Sequence, residues 1–288
     1  MMRLRALAEL VRAPAALSVP GDVVAGAAAT GVLDRRTGGL AGASVCLYWA
    51  GMAANDWADR ELDAVERPER PIPSGRVPAP VALGVAAGLT AAGLAISGAV
   101  GGRRALAVAS PLAAAVWAYD LWAKNTVAGP LAMAACRALD VLHGASTGRL
   151  VRAVPAALAV GAHTYTVTAL SRGEVSGTQP RVAAATLATT VAVAAAVARP
   201  DAAAPAGAAT SVARLLTVDY ARRYGQAQAG VLGDPAPPRV RAVVGAGITA
   251  LPALQGALIA RTGAIRAGLA VAAAAPLGRA LARWISPT

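Results

Sequence analysis

Apolar windows of about 17–22 residues recur along the chain, separated by short breaks rich in arginine, glycine and proline. Reading the windows against the charged breaks predicts helices near 14–33, 39–55, 79–100, 104–122, 128–148, 153–171, 182–198, 202–219, 240–260 and 264–284. Each is about long enough, at roughly 1.5 Å per residue, to cross the roughly 30 Å hydrocarbon core of a bilayer. The runs are continuous and do not alternate with period two, which argues against a membrane β-barrel. The weakest window is 202–219, which carries Arg214 and runs into the polar stretch Asp219–Pro238. The pattern predicts an all-α, polytopic transmembrane bundle forming one integral-membrane domain over residues 1–288. Polar helix ends follow the second and sixth windows. That spacing suggests two four-helix halves, about 14–122 and 128–219, with further helices after them.

Composition agrees with this reading. A hydrophobic fraction of 56%, 15% charged residues and a mean hydropathy of +0.53 lie outside the range of soluble domains. In a soluble protein a net charge of +12 would suggest nucleic acid. Here the arginines flank apolar windows, where they set topology and meet anionic lipid, so a bilayer and no nucleic acid is expected. With the N-terminus inside, 17 Lys and Arg residues fall on the cytoplasmic side and 9 on the other. The positive-inside rule therefore predicts a multi-pass cell-membrane protein with a cytoplasmic N-terminus. Met1–Arg12 reads as a basic arm and not as a cleavable leader. Cys46 and Cys136 both fall in apolar windows and are expected to pack as small hydrophobes.

Chemistry concentrates in Asn55-Asp56-Trp57-Ala58-Asp59-Arg60-Glu61-Leu62-Asp63 and the basic tail that runs to Arg76. On a helix, Asn55, Asp59, Asp63 and Asp56 fall at roughly 0°, 40°, 80° and 100°, within about one quadrant. Three carboxylates that close repel one another unless a cation sits among them. Oxygen donors in this arrangement are the ligand set of a divalent metal, with magnesium the best match. The inferred topology places this cluster, Lys124 and Ser171–Gly177 on one face of the membrane. Elsewhere Arg137, Asp140 and His143 lie inside the fifth window. Arg137 and Asp140 are three residues apart and are expected to pair, and intramembrane charges are candidate catalytic groups by default. His143 is a candidate proton acceptor or a packed histidine, and His163 in the next window is expected to be packed. Gly84/Gly88 and Gly144/Gly148 read as helix-packing pairs.

The run Asn55-Asp56-x-x-Asp59-x-x-x-Asp63 resembles the first aspartate-rich signature of the UbiA family of intramembrane prenyltransferases. Arg67-Pro-Glu-Arg70-Pro-Ile-Pro-Ser-Gly75 is similar to that family's continuation of the loop. Tyr119-Asp-Leu-Trp-Ala-Lys124-Asn-Thr126 resembles its YxxxxKRxT segment, and Leu10-Val-Arg12-Ala-Pro14 the start of its first helix. The resemblance implies a bundle of nine helices, against the ten windows counted here, around a cavity open to the bilayer. It implies magnesium-dependent transfer of an isoprenyl group from its diphosphate to a hydrophobic or cyclic acceptor, a small molecule or lipid. Asn55, Asp56, Asp59 and Asp63 would hold the metal. Arg67, Arg70 and Lys124 would meet the diphosphate, with Tyr119 adding a hydrogen bond. The second aspartate-rich motif is altered: Thr164–Thr178 offers one carboxylate, Glu174, beside Arg172. Glu174 could still complete a magnesium shell and Arg172 could replace a second metal as fixed charge on the diphosphate. The altered motif equally leaves open a terpene cyclase, or a non-catalytic protein that binds or transports a lipid diphosphate.

Overall fold

The structure, a computed structural model, describes residues 4–12, 18–199 and 207–274, all of it helix and connecting turns. A short helix, α1 (Leu4–Leu10), precedes α2 (Val19–Thr30), α3 (Arg35–Ala58) and the short α4 (Arg60–Glu66). The chain continues through α5 (Ala79–Leu121), α6 (Gly129–Gly144), α7 (Val154–Ser171), α8 (Pro180–Ala198), α9 (Ala208–Gly233) and α10 (Pro237–Ala260). A last apolar helix, α11, covers Ile265–Ala274. Proline in the first turn opens α2, α5, α6, α7, α8 and α10, where its fixed φ suits the helix and its missing N–H costs no bond. α3 begins differently. The Asp34 carboxylate accepts from the Arg36 amide at 2.8 Å while the Thr37 hydroxyl accepts from the Asp34 amide at 3.2 Å.

α5 is a hairpin. Gly102 breaks it with φ 67° and ψ −161°, a conformation open to glycine. The Trp117 indole N–H donates to the Thr90 hydroxyl at 3.0 Å. Along a straight helix these residues would lie roughly 40 Å apart. The predicted windows 79–100 and 104–122 are therefore its two antiparallel arms. Counting the arms separately, nine helices of 12 residues or more form the bundle among the described residues. α5, Leu150–Ser171, α8 and α10 are long and apolar enough to cross a membrane. The molecule is a multi-pass membrane protein.

The weak window was misplaced. α9 runs on to Gly233 through the segment expected to be polar loop. Ala213, Thr217, Tyr220, Tyr224, Gln228 and Val231 are buried at helical spacing, while Arg214, Arg222 and Arg223 stay exposed. Mean polarity hid this amphipathic stripe. The window 264–284 survives as α11 over its first part; residues 275–284 lie outside the described residues, as do 14–17 of the first window. Cys46 and Cys136 are free thiols, as expected.

Glycine sets the closest helix crossing. A Cβ on Gly26 of α2 would lie 1.8 Å from the Val141 carbonyl oxygen, and one on Gly144 of α6 would lie 2.0 Å from that of Val23. Gly148 likewise meets Thr30, so this predicted pair is a packing device. Gly84 and Gly88 face open space, contrary to expectation. We expect Gly144→Ala to force α2 and α6 apart and to cost about 1–3 kcal/mol. Gly88→Ala should instead gain about 0.5–1 kcal/mol through helix propensity. Thermal unfolding of both variants in detergent measures the contrast.

Candidate active site

The acidic stretch is not one continuous helix. α3 stops at Ala58, Asp59 sits between helices with φ −87° and ψ 3°, and α4 restarts at Arg60. Arg60 accounts for the break: its guanidinium donates to the Trp57 carbonyl at 2.9 Å and lies 4.9 Å over the Trp57 ring. The backbone bonds Asp59 N–H to Asn55 O, 2.9 Å, and Asp63 N–H to Asp59 O, 2.8 Å, still cross it. Asn55, Asp59 and Asp63 therefore remain stacked on successive turns.

Each carboxylate of the cluster meets a cation. Arg70 donates to Asp63 at 2.6 Å and to Asp56 at 3.4 Å. Arg12 reaches Asp56 at 2.9 Å, and Lys124 approaches Asp59 at 2.7 Å. Asp56 and Asp63 are buried, so these pairs are shielded from water more than surface pairs would be. The tail supplies Arg70 by folding back on itself. The Ser74 hydroxyl donates to the Arg70 carbonyl at 2.6 Å, Gly75 adopts φ 74°, and Arg76 bridges to Glu9 of α1. α1 seals this end through Ala6 and Leu10, packed with Ala53, Ala54, Val77 and Ala82. Arg12 follows it at φ 45°, a conformation uncommon for a non-glycine residue and maintained here beside its bond to Asp56. Lys124 is set by a 3₁₀ turn, Ala123–Asn125, that Thr126 caps by donating to the Ala123 carbonyl at 2.8 Å.

Two members, Asp120 and Asp22, were not identified as site residues from sequence. Asp120, buried in the last turn of α5, accepts from the Asn55 amide at 3.2 Å and links the cluster to a cavity. It stood inside the quoted Tyr119–Thr126 segment, and as the lone carboxylate of an apolar arm it could have been found by the rule applied to Arg137 and Asp140. Arg12, which the sequence placed in the basic arm and in the segment resembling the family's first-helix start, is a partner of the cluster. Asp22 was passed over in the first window.

A partly open cavity lies between α2, α3, the second arm of α5 and α6. Leu47, Met52, Leu112 and Val116 give it apolar walls; Ser44, Tyr48, Tyr119, Asp120, Arg137 and Asp140 are its polar points. Arg137 and Asp140 both face it but do not pair with each other. Arg137 lies 2.7 Å from Asp22 of α2 and donates to the Ser18 carbonyl at 3.2 Å. Gln255 of α10 donates to Asp22 at 2.6 Å and to the same carbonyl at 2.8 Å. The glycine-tight α2–α6 crossing brings Asp22 onto Arg137, and a carboxylate on a facing helix outcompetes one on its own. Asp140 instead accepts from the Ser44 hydroxyl, which also contacts His143 Nδ1 at 3.0 Å. His163 is packed as expected, edge-on to Tyr220 and Tyr224 and within 3.1 Å of the Tyr220 hydroxyl.

The altered second motif is a tied-down turn. Arg172 donates to the Thr126 carbonyl at 2.6 Å, which joins the end of α7 to the Lys124 turn. Glu174 engages through its backbone carbonyl, which accepts from Arg241 at 2.7 Å. Among the described residues no bond joins the Glu174 carboxylate to the first cluster, and Arg67 stands exposed at the end of α4. Among the described residues no group of three or more His, Cys, Asp or Glu side chains is gathered closely enough to form a metal shell. The donor chemistry nevertheless suits magnesium: Asn55, Asp56, Asp59, Asp63 and Asp120 are all hard oxygen donors at one end of the cavity. Their cationic partners divide them, so a metal would be taken up by exchange of partners.

The buried Asp22–Arg137 pair yields a direct test. Arg137→Met strands Asp22 and should cost about 3–5 kcal/mol. Adding Asp22→Asn should recover a large part of that loss, as read from thermal unfolding of the single and double variants.

Comparison with known proteins accords with this geometry. Residues 17–172 match the model of the UbiA prenyltransferase family. The chain is 35% identical over 167 residues to the digeranylgeranylglyceryl phosphate synthase of Ignicoccus hospitalis, covering 55% of each chain. It is 42% identical over 82 residues to the bacteriochlorophyll synthase 33 kDa chain of Rhodobacter capsulatus, covering 28% of this chain and 26% of that one. The matches thus span about half, or less, of these curated relatives' own length. In fold it resembles a digeranylgeranylglyceryl phosphate synthase structure, with TM-score 0.70 at 18% identity over 92% of this chain and 100% of that one. It also resembles a UbiA homologue from Archaeoglobus fulgidus bound to DMAPP and Mg2+, with TM-score 0.63 at 15% identity over 93% and 99%. With the family model matching more than half the chain, over the helices that build the cluster and the cavity, the chain belongs to the UbiA prenyltransferase family.

Proposed function

We propose that the protein transfers an isoprenyl group from an allylic diphosphate to a hydrophobic acceptor inside the membrane. The observation that carries this reading is the junction at Asp120, where a cluster of hard oxygen donors and cations meets an apolar cavity. A prenyl diphosphate has the same polarity, with a charged head and an apolar tail. Asp56, Asp59 and Asp63, with Asn55 and Asp120 adjacent, would hold magnesium, which supplies positive charge to the departing diphosphate. Glu174 is the carboxylate proposed to approach from the facing turn.

The allylic C–O bond breaks and diphosphate leaves with the electron pair. Arg70, Arg12 and Lys124 can each exchange a carboxylate for a phosphoryl oxygen at that point, since their present partners lie within hydrogen-bonding range. Arg67 and Arg172 extend the basic rim, and the Tyr119 hydroxyl donates from the cavity wall. Leu47, Leu112 and Val116 exclude water from the allylic cation until the acceptor forms its bond to carbon. The relatives are named as synthases of products as different as digeranylgeranylglyceryl phosphate and bacteriochlorophyll, so the acceptor class proposed is simply hydrophobic or cyclic. The same reading puts the N-terminus and the cluster on the cytoplasmic face.

Purified protein incubated with radiolabelled C5–C20 allylic diphosphates, membrane lipid extract and magnesium should release diphosphate and label a lipid product. Chelation should abolish both. Asp59→Asn and Asp63→Asn should each lower turnover by about a hundredfold or more. Folded wild-type protein that releases diphosphate from none of these donors would sink the proposal.

A further inference from the structure

We infer that Asp140 is the base that takes the acceptor's proton, and that Ser44, His143 and Ser97 form a hydrogen-bonded relay behind it. The inference rests on the transferase reading and assigns the step that reading leaves open. A hydroxyl or carbon nucleophile that bonds to the allylic carbon must shed a proton, and inside an apolar cavity water is not there to receive it.

Asp140 and Ser44 both line the cavity. Arg137, one turn from Asp140, is engaged by Asp22 at 2.7 Å, so among the described residues Asp140 has no ion-pair partner. It bonds instead to Ser44. The Ser44 hydroxyl lies 3.0 Å from His143 Nδ1, His143 Nε2 lies 3.0 Å from the Ser97 hydroxyl, and Ser97 reaches the Gly93 carbonyl at 2.7 Å. α6 thus supplies the carboxyl and the imidazole, and α3 and the first arm of α5 supply the hydroxyls.

Two proton arrangements satisfy this chain. With Asp140 protonated, its O–H donates to Ser44, Ser44 to Nδ1, the Nε2–H to Ser97, and Ser97 to Gly93. With Asp140 ionised, Ser44 turns to donate to the carboxylate, while the Nε2–H still donates to Ser97 and Ser97 to Gly93. The two arrangements differ by one proton, held on the carboxyl that faces the cavity. In the transfer step the acceptor forms its bond to the allylic carbon, its X–H bond breaks, and the proton passes to Asp140. Ser44 then turns onto His143 Nδ1 and accepts the new O–H within the buried site.

The experiment separates capture by the acceptor from capture by water. Full-length protein receives radiolabelled C5–C20 allylic diphosphates, magnesium and membrane lipid extract, and prenylated lipid and prenyl alcohol are measured together. Asp140→Asn should lower the ratio of lipid product to alcohol by about a hundredfold. His143→Gln and Ser97→Ala, changes to positioning residues, should lower it several-fold through kcat, with donor KM unchanged. An unchanged ratio in Asp140→Asn would overturn the inference. So would a parallel loss of kcat, donor affinity and thermal stability in His143→Gln, the pattern of a structural role. Should Asp140→Asn fail to fold, Ser44→Ala carries the test: a lowered ratio supports the relay and an unchanged one refutes it. A wild type that releases no diphosphate removes the transferase reading, and this inference with it, before any variant is made.

Discussion

Carboxylates at the end of an apolar cavity repel one another across a medium that screens poorly, and the site is organised around neutralising them. Asp56, Asp59 and Asp63 come from the end of α3, the break and α4; their counter-charges come from three distant places in the chain. Arg12 follows α1, Arg70 lies in the proline-rich tail, and Lys124 sits in the turn after α5. Each ion pair therefore also closes a loop of the fold. On the proposed function these pairs would be exchanged on binding, because a diphosphate would compete for the cations and magnesium for the carboxylates. A fold that holds charges apart in this way is prepared for a ligand carrying both signs.

The second buried pair does the opposite work. Asp22 and Arg137 are fully or nearly fully enclosed, and Gln255 and the Ser18 carbonyl fill out their hydrogen bonds. The crossing that brings them together allows no side chain at Gly26 or Gly144. A pair so surrounded ties α2, α6 and α10 into one body and fixes the cavity wall on which Arg137 and Asp140 stand. Breaking it would strand a charge in low dielectric, so its exchange with a substrate is disfavoured.

Much of this was legible in the sequence, for physical reasons that also mark where reading stopped. Apolar windows located the bundle because a bilayer demands uninterrupted hydrophobic length, and the spacing from Asn55 to Asp63 placed its donors together because helical geometry leaves them little choice. The break at Asp59 was not legible, since it depends on where Arg60 finds a carbonyl and an aromatic face. α9 was cut short because mean hydropathy averages away a stripe such as Thr217, Tyr220, Tyr224 and Gln228. The Arg137–Asp140 pairing failed for a more general reason. Spacing along one helix says which side chains can meet, while the helix packed against it decides which do. Asp22 was invisible in this role until α2 was seen to cross α6.

That misreading leads to the chemistry. With Arg137 paired to Asp140, the cavity would have a neutral ion pair in its wall and no obvious route for a proton. With Arg137 given to Asp22, Asp140 is, among the described residues, a carboxyl without a cation, bonded to a serine that can turn either way. On the proposed function the two ends of the cavity would then divide the reaction. Near Asp120, fixed cations and oxygen donors favour departure of an anion; near Asp140, a neutral hydroxyl–imidazole chain favours acceptance of a proton. Separating these charges in space matters, because a base placed beside the carboxylate cluster would be repelled into permanent protonation, and one placed beside Arg70 or Lys124 would be too weak to act. The Asp22–Arg137 pair stands between the helices at the point where it can keep the basic end so arranged.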